Sequence, residues 1–331
     1  MPQGSIARDG FTNNPLALSG EASTIAPHLN SSPSPLRLDD YLQACTERYS
    51  ACLDALLEAH QLPRVIATAR FHHLKLDGNG RPRWGDLAKN LVYHILSYCF
   101  SVQKRGEARS DVEIMELRDE ARKFFRDERR SGEAGEMLLY FMLEAVLRAP
   151  QMVSKISLKT NPALETFGSD GIHMKWHEAD KMLDLYFGEA KLYKAFGDAA
   201  TEAVESIEKF HTKGMEEFEL RMVTRHFKHA EGATKDAVLG YVKRGTAANT
   251  VRINHACLLG YNLDAYHRLP EGDMEAMIGA FRARYKADLE RIRPVLNDRF
   301  ERFREKRLRF EIFILPFTSV DDFREAFLSA L

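Results

Sequence analysis

The stretch "GSDGIHMKWHEADKMLDLYFGEAKLY", Gly168 to Tyr193, carries three residues able to do chemistry, Asp170, Glu189 and Lys191. They sit in a segment that otherwise alternates like a β-hairpin. In a strand, residues two apart share a face, so Glu189 and Lys191 point the same way. Leu183, Leu185 and Phe187 line that face, and Met182, Tyr186, Ala190 and Leu192 line the other. A strand apolar on both sides belongs in the middle of its sheet. A carboxylate and an ammonium are costly to bury there unless they pair or hold a metal.

Register turns this into geometry. With Ala179 and Asp180 as the two loop residues of "HEADK", Glu178 faces Lys181 and Asp170 falls opposite Glu189. A one-residue shift in the loop keeps the carboxylates adjacent. Two carboxylates suit a hard cation, Mg²⁺ or Mn²⁺, that retains several waters. Such a cation polarises a phosphoryl oxygen and acidifies a bound water, and a neighbouring lysine orients that water or balances charge on the phosphate. The equipment is that of metal-assisted phosphodiester hydrolysis.

The surrounding elements must position these groups. "GEAGEMLLYFMLEAVLR" is apolar nearly all round and predicts a buried helix. "MVSKISLKT" reads as a strand, the hairpin supplies two more, and "AFGDAATEAVESIEKFH" is an amphipathic helix with the stripe Phe196, Ala199, Ala203, Ile207 and Phe210. The order is helix, strand, strand, strand, helix. Upstream, Leu38 to His60 has a helical pattern, with Tyr41, Cys45, Tyr49, Cys52 and Leu56 at three- and four-residue steps. Arg64 to Leu76 reads as a strand closed by the turn "DGNG". An apolar helix follows in "GDLAKNLVYHILSYCF", and a solvated one from Ser110 to Arg130. Downstream come helices around 216–230, a strand at "VRINHACLLGY", a long helix from about Asp273 to Lys306, an edge or core strand at "RFEIFILPF" and a short terminal helix. The fold class is α/β, a mixed central sheet with flanking helices and a largely helical N-terminal region. The division is a disordered Ser/Pro-rich leader over 1–36, a mostly helical region with one strand over 37–130, and the site-bearing domain over 131–331.

The 331 residues carry a formal net charge of -1, so the chain as a whole does not announce a polyanion partner. No apolar run is long enough to span a bilayer, and the first residues lack a signal-peptide apolar core, which points to the cytoplasm. Cys45, Cys52, Cys99 and Cys257 show no CxxC spacing and read as reduced thiols, against a zinc site.

"SDG" followed by "GEAK" resembles the Asp…Glu-x-Lys signature of the PD-(D/E)xK nuclease superfamily, with Ser169 where the name has proline. The helix–strand–strand–strand–helix order from Gly135 to His211 is similar to that superfamily's core. "GEAGEMLLYFMLEAVL", "KISLKTN", "GSDGIHMKW", "FGEAKLY" and "RFEIFILPFTSVDDF" together resemble HamA, the nuclease subunit of the Hachiman anti-phage defence system, over most of 37–331. The resemblance implies a Mg²⁺-dependent DNA nuclease held in check by a partner helicase of the HamB type and released when that helicase acts on aberrant or invading DNA. It implies metal ligation by Asp170 and Glu189, and a first-helix glutamate, Glu136 or, two turns on, Glu144. Lys191 would position water or phosphate.

Further candidates lie outside the hairpin. Lys155 and Lys159 share a face of the preceding strand and are candidate phosphate contacts. Residues 281–309 hold eleven Lys or Arg against five Asp or Glu, so Arg299 and Arg302 are candidates for tracking a DNA backbone without reading sequence. His173 and His177 read as satisfied histidines. No base-reading motif appears, so cutting with little sequence preference is expected. The competing reading is a catalytically silent regulatory subunit of a helicase complex, with the same residues forming a buried ion network.

Overall fold

The hairpin forms in the expected register. Its strands, Gly171–His177 (β4) and Met182–Leu192 (β5), pair antiparallel with Ile172 opposite Phe187 and His177 opposite Met182. In this computed structural model the described residues are 38–125, 132–154, 168–212, 214, 251–270 and 273–331. The leader over 1–36, the helices expected around 216–230, and Lys155 and Lys159 lie outside them.

The remaining strands are Leu53–Gln61 (β1), Ile66–Leu74 (β2), Gln151–Ser154 (β3), Val251–Asn262 (β6) and Arg309–Phe317 (β7). Together they make one mixed seven-stranded sheet in the order β1-β2-β7-β6-β5-β4-β3. β2, β7, β6 and β5 run parallel to one another, while β1, β4 and β3 pair antiparallel. β5 is internal, as its two apolar faces require, and so is β7.

Helices cover both faces. On one side lies Glu133–Leu147 (α6), reached after Thr46–Cys52 (α1), Trp84–Tyr93 (α2), Ile95–Cys99 (α3), Val102–Glu107 (α4) and Asp111–Arg122 (α5). α6 is buried on nearly every side, as its all-apolar pattern demands. It crosses β5 at Gly135, where a Cβ would come within 3.2 Å of Leu192 and 3.4 Å of Ala190. On the other side Phe196–Thr212 (α7) buries the expected stripe, with Phe210 against Phe187 of β5 at 5.0 Å between ring centroids. Met274–Glu301 (α8) packs against α7, and Tyr285 in it donates to the Ile314 carbonyl of β7. Val320–Ala330 (α9) closes the chain against α2 and α6.

One expectation needs correcting. The helical pattern over Leu38–His60 breaks at Cys52: Leu38–Tyr41 is a 3₁₀ turn, α1 ends, and Leu53–Gln61 is strand β1. "LDALLEAHQ" is rich in helix formers, but pairing along β2 overrides that preference, with register shifts on either side of Leu57. The N-terminal region therefore gives the sheet two strands instead of one.

Gly260 in β6 marks the tightest packing near the site. A Cβ there would collide with the Leu192 side chain and lie 2.9 Å from the Phe317 ring, both in the core. Gly260→Ala is expected to lower stability by about 1–3 kcal/mol through overpacking, read as a fall in the urea midpoint. An unchanged midpoint would mean that Leu192 repacks at no cost.

Candidate active site

Asp170 lies just ahead of β4, and its backbone N–H donates to the Gly188 carbonyl at 2.8 Å, one residue out of the β4–β5 register and next to Glu189. Its Oδ2 accepts the Ala190 N–H at 2.7 Å. The aspartate is thus fastened to both flanks of Glu189 on β5. Asp170 and Glu189 are each 8 % exposed.

Glu189 and Lys191 share a face, and the Lys191 ammonium sits 2.7 Å from Glu189 Oε1. Burial raises the Glu189 carboxyl to about 7, the Asp170 charge pushes in the same direction, and Lys191 and a hydrogen bond with Ser206 of α7 oppose them. Burial alone would pull Lys191 down, but its contact with Glu189 outweighs this and raises it. Behind the pair, Cys257 of β6 lies in register with Glu189, and burial pushes its thiol far up, so it stays neutral.

α6 brings Glu136 to Tyr98. Gly135 packs on Ala190, and the next residue, Glu136, accepts from the Tyr98 hydroxyl of α3 at 3.5 Å. Burial, then the Glu136 and Asp170 charges, push the Tyr98 phenol well above its ordinary value. Tyr98, Glu136 and Asp170 are therefore electrostatic neighbours. Tyr98 and Ser206 were not visible as site residues in the sequence: neither has a motif, and only the packing of α3 and α7 brings them in.

Glu144 has another task. Its Oε2 accepts the Gln43 and Ala44 N–H groups, both at 2.8 Å, and its Oε1 accepts Gln151 N–H at 3.1 Å. It ties the segment before α1 and the start of β3 to α6. His173 donates from Nδ1 to the Ala149 carbonyl, 2.8 Å away, and is a packed histidine as expected, whereas His177 pairs with the buried Asp184 at 3.0 Å. Arg299 bonds Thr201 of α7 at 2.8 Å and Asp298 at 2.6 Å, and Arg302 pairs with the same Asp298 at 2.7 Å. Arg299 thus helps dock α8 on α7, and Arg302 keeps most of its side chain in solvent.

The donor set fits a hard cation. Two carboxylates converge where burial, and then their repulsion, raises one of them, and a divalent ion would relieve that repulsion. Among the described residues no group of three or more His, Cys, Asp or Glu is arranged to hold a metal. A cation here would rest on Asp170 and Glu189 and take its other positions from water or substrate.

Among the described residues no helix is long and apolar enough to cross a membrane. No curated protein matches the chain. A family model described as HamA matches residues 51–331, a span containing the seven strands found among the described residues. That match runs through Asp170, Glu189, Lys191 and Glu136 alike, and the chain belongs to the HamA family, a component of the Hachiman anti-phage defence system.

Proposed function

We propose that this HamA-family chain is a Mg²⁺- or Mn²⁺-dependent DNA nuclease of the PD-(D/E)xK type, acting in the cytoplasm as the effector of the defence system under control of a partner helicase. The observation that carries this reading is the convergence of Asp170 and Glu189 across β4 and β5, with Lys191 2.7 Å from Glu189 on the same face. The nuclease chemistry belongs to 131–331, the residues that hold this constellation.

Asp170 and Glu189 would hold the cation, with Glu136 assisting from α6. A bound divalent ion supplies charge to polarise the scissile phosphoryl oxygen and acidify the attacking water. Lys191 stays charged, because its pairing with Glu189 raises it, and so can hold a water or offset charge on the phosphate. Ala190 N–H and Ser206 fix the two carboxylates, so that little reorganisation is needed on loading. Control by a helicase is supported by family membership.

The test is digestion of plasmid DNA by the purified chain, with and without its partner helicase, in Mg²⁺ or Mn²⁺ and in EDTA. Degradation is expected with metal in at least one of the two preparations, and should be lost in EDTA and in Glu189→Ala/Lys191→Ala. Unchanged degradation by that double variant removes the assignment. No cutting under any condition would leave a buried ion network in a silent regulatory subunit.

A further inference from the structure

A cleft of about 400 Å³ opens where β5 ends, beside Lys191 and the start of α6. Its walls include Gly132, Lys191, Tyr193, Lys194, Asp321 and Arg324. Tyr193 extends β5 by one residue, since its N–H donates to the Gly260 carbonyl at 3.0 Å. It therefore continues the face that carries Glu189 and Lys191. It is also among the large apolar side chains left exposed.

Two cations converge on one carboxylate at this cleft. Lys194 lies 3.3 Å from Asp321 Oδ2, and Arg324 lies 3.2 Å from Asp321 Oδ1. Arg324 is anchored from behind by donating to the Leu192 carbonyl at 2.9 Å, and its side chain is 15 % exposed. Its Nε is buried with no hydrogen-bond partner among the described residues. Lys194 is 75 % exposed, so its pairing with Asp321 is weak and exchangeable. A phosphodiester's two non-bridging oxygens could meet the same two cations as the two oxygens of this carboxylate do.

We propose that this cleft is a binding subsite for a nucleic-acid strand leading to Lys191, in which Lys194 and Arg324 hold a backbone phosphate in place of Asp321 and Tyr193 stacks an unpaired base. The assignment rests on the nuclease reading for its substrate class. The stacking element selects strands with unpaired bases over intact duplex, because a paired base keeps its faces within the helix. Volume agrees, since the cleft is in the range that takes a small-molecule-sized unit.

The experiment measures binding of fluorescent oligonucleotides, one single-stranded and one duplex of equal length, to the full chain carrying Glu189→Gln, in EDTA so that nothing is cut. Tyr193→Ala should weaken single-strand binding about tenfold and duplex binding far less. Lys194→Ala should weaken the single strand and lower the slope of log affinity against log salt by about 0.7. Asp321→Asn should tighten binding roughly two- to fivefold. The subsite is overturned if Tyr193→Ala and Lys194→Ala both leave single-strand affinity unchanged, and the preference for unpaired bases is overturned if Tyr193→Ala weakens duplex equally. The two readings fail separately: the chain cutting plasmid while these variants bind normally removes only the subsite. Variants that shift binding in a chain that never cuts remove only the nuclease.

Discussion

Glu189→Gln is expected to cut nuclease activity by about 10²–10³-fold or more and at the same time to make the metal-free protein more stable above neutral pH. The two effects have one origin. Glu189 is buried beside Asp170, and its carboxyl is raised to about 7 from the ordinary 4.5. Between those values the folded chain keeps a proton that the unfolded chain releases. The stability from this group is therefore complete below the unfolded value and is lost as pH rises through about 7. Glutamine cannot ionise and escapes that loss. The variant should exceed the wild type by on the order of 3 kcal/mol at pH 8.5 in EDTA and match it near pH 4.5. Denaturant unfolding at the two pH values reads the gap directly. A gap that does not change with pH would show that Lys191 and Ser206 balance burial and Asp170, and a gap that turns against the variant as pH rises would show that they stabilise the ionised carboxylate more than burial and Asp170 oppose it. Mg²⁺ should raise the wild-type melting temperature at pH 8 and leave Glu189→Gln nearly unmoved, since the ion would relieve the charge that the substitution deletes.

The hairpin was legible because its information is local. Alternation fixes the faces of β5, the "HEADK" turn fixes the register from Ile172–Phe187 to His177–Met182, and the two rules bring Asp170 beside Glu189 without reference to the rest of the chain. The same holds for α7, whose stripe from Phe196 to Phe210 is buried as its spacing requires. β1 was hidden for the opposite reason. Leu53–Gln61 has the composition of a helix, and only β2 alongside makes it a strand. Tyr98 was likewise out of reach, because its hydroxyl meets Glu136 through the packing of α3 on α6, a relation between residues far apart in sequence. Sequence also offered Glu136 and Glu144 as equivalents on one helix, since spacing by two turns puts both on similar faces. What separates them is what each faces, Tyr98 and Asp170 in one case and three backbone amides in the other.

That separation predicts opposite phenotypes for two glutamates on one helix. Glu144→Ala should destabilise the protein by about 3–5 kcal/mol. The carboxylate is 1 % exposed and accepts the N–H groups of Gln43, Ala44 and Gln151. Alanine would leave those donors buried without their acceptor and release the segment before α1 and the start of β3 from α6. Each amide loses a charge-assisted bond, and residual structure or entering water recovers only part of it. Glu144→Gln keeps one acceptor oxygen of the right shape and should cost clearly less. Glu136 is only half-buried, stands beside Tyr98 and is proposed to assist the cation, so Glu136→Ala should cost little stability and act on the proposed Mg²⁺-dependent cutting. Urea midpoints of the three variants, set beside their plasmid digestion rates at a temperature where all are folded, test the division of labour. A Glu144→Ala protein with a wild-type midpoint and lost cutting would exchange the two roles and move the proposed metal site along α6.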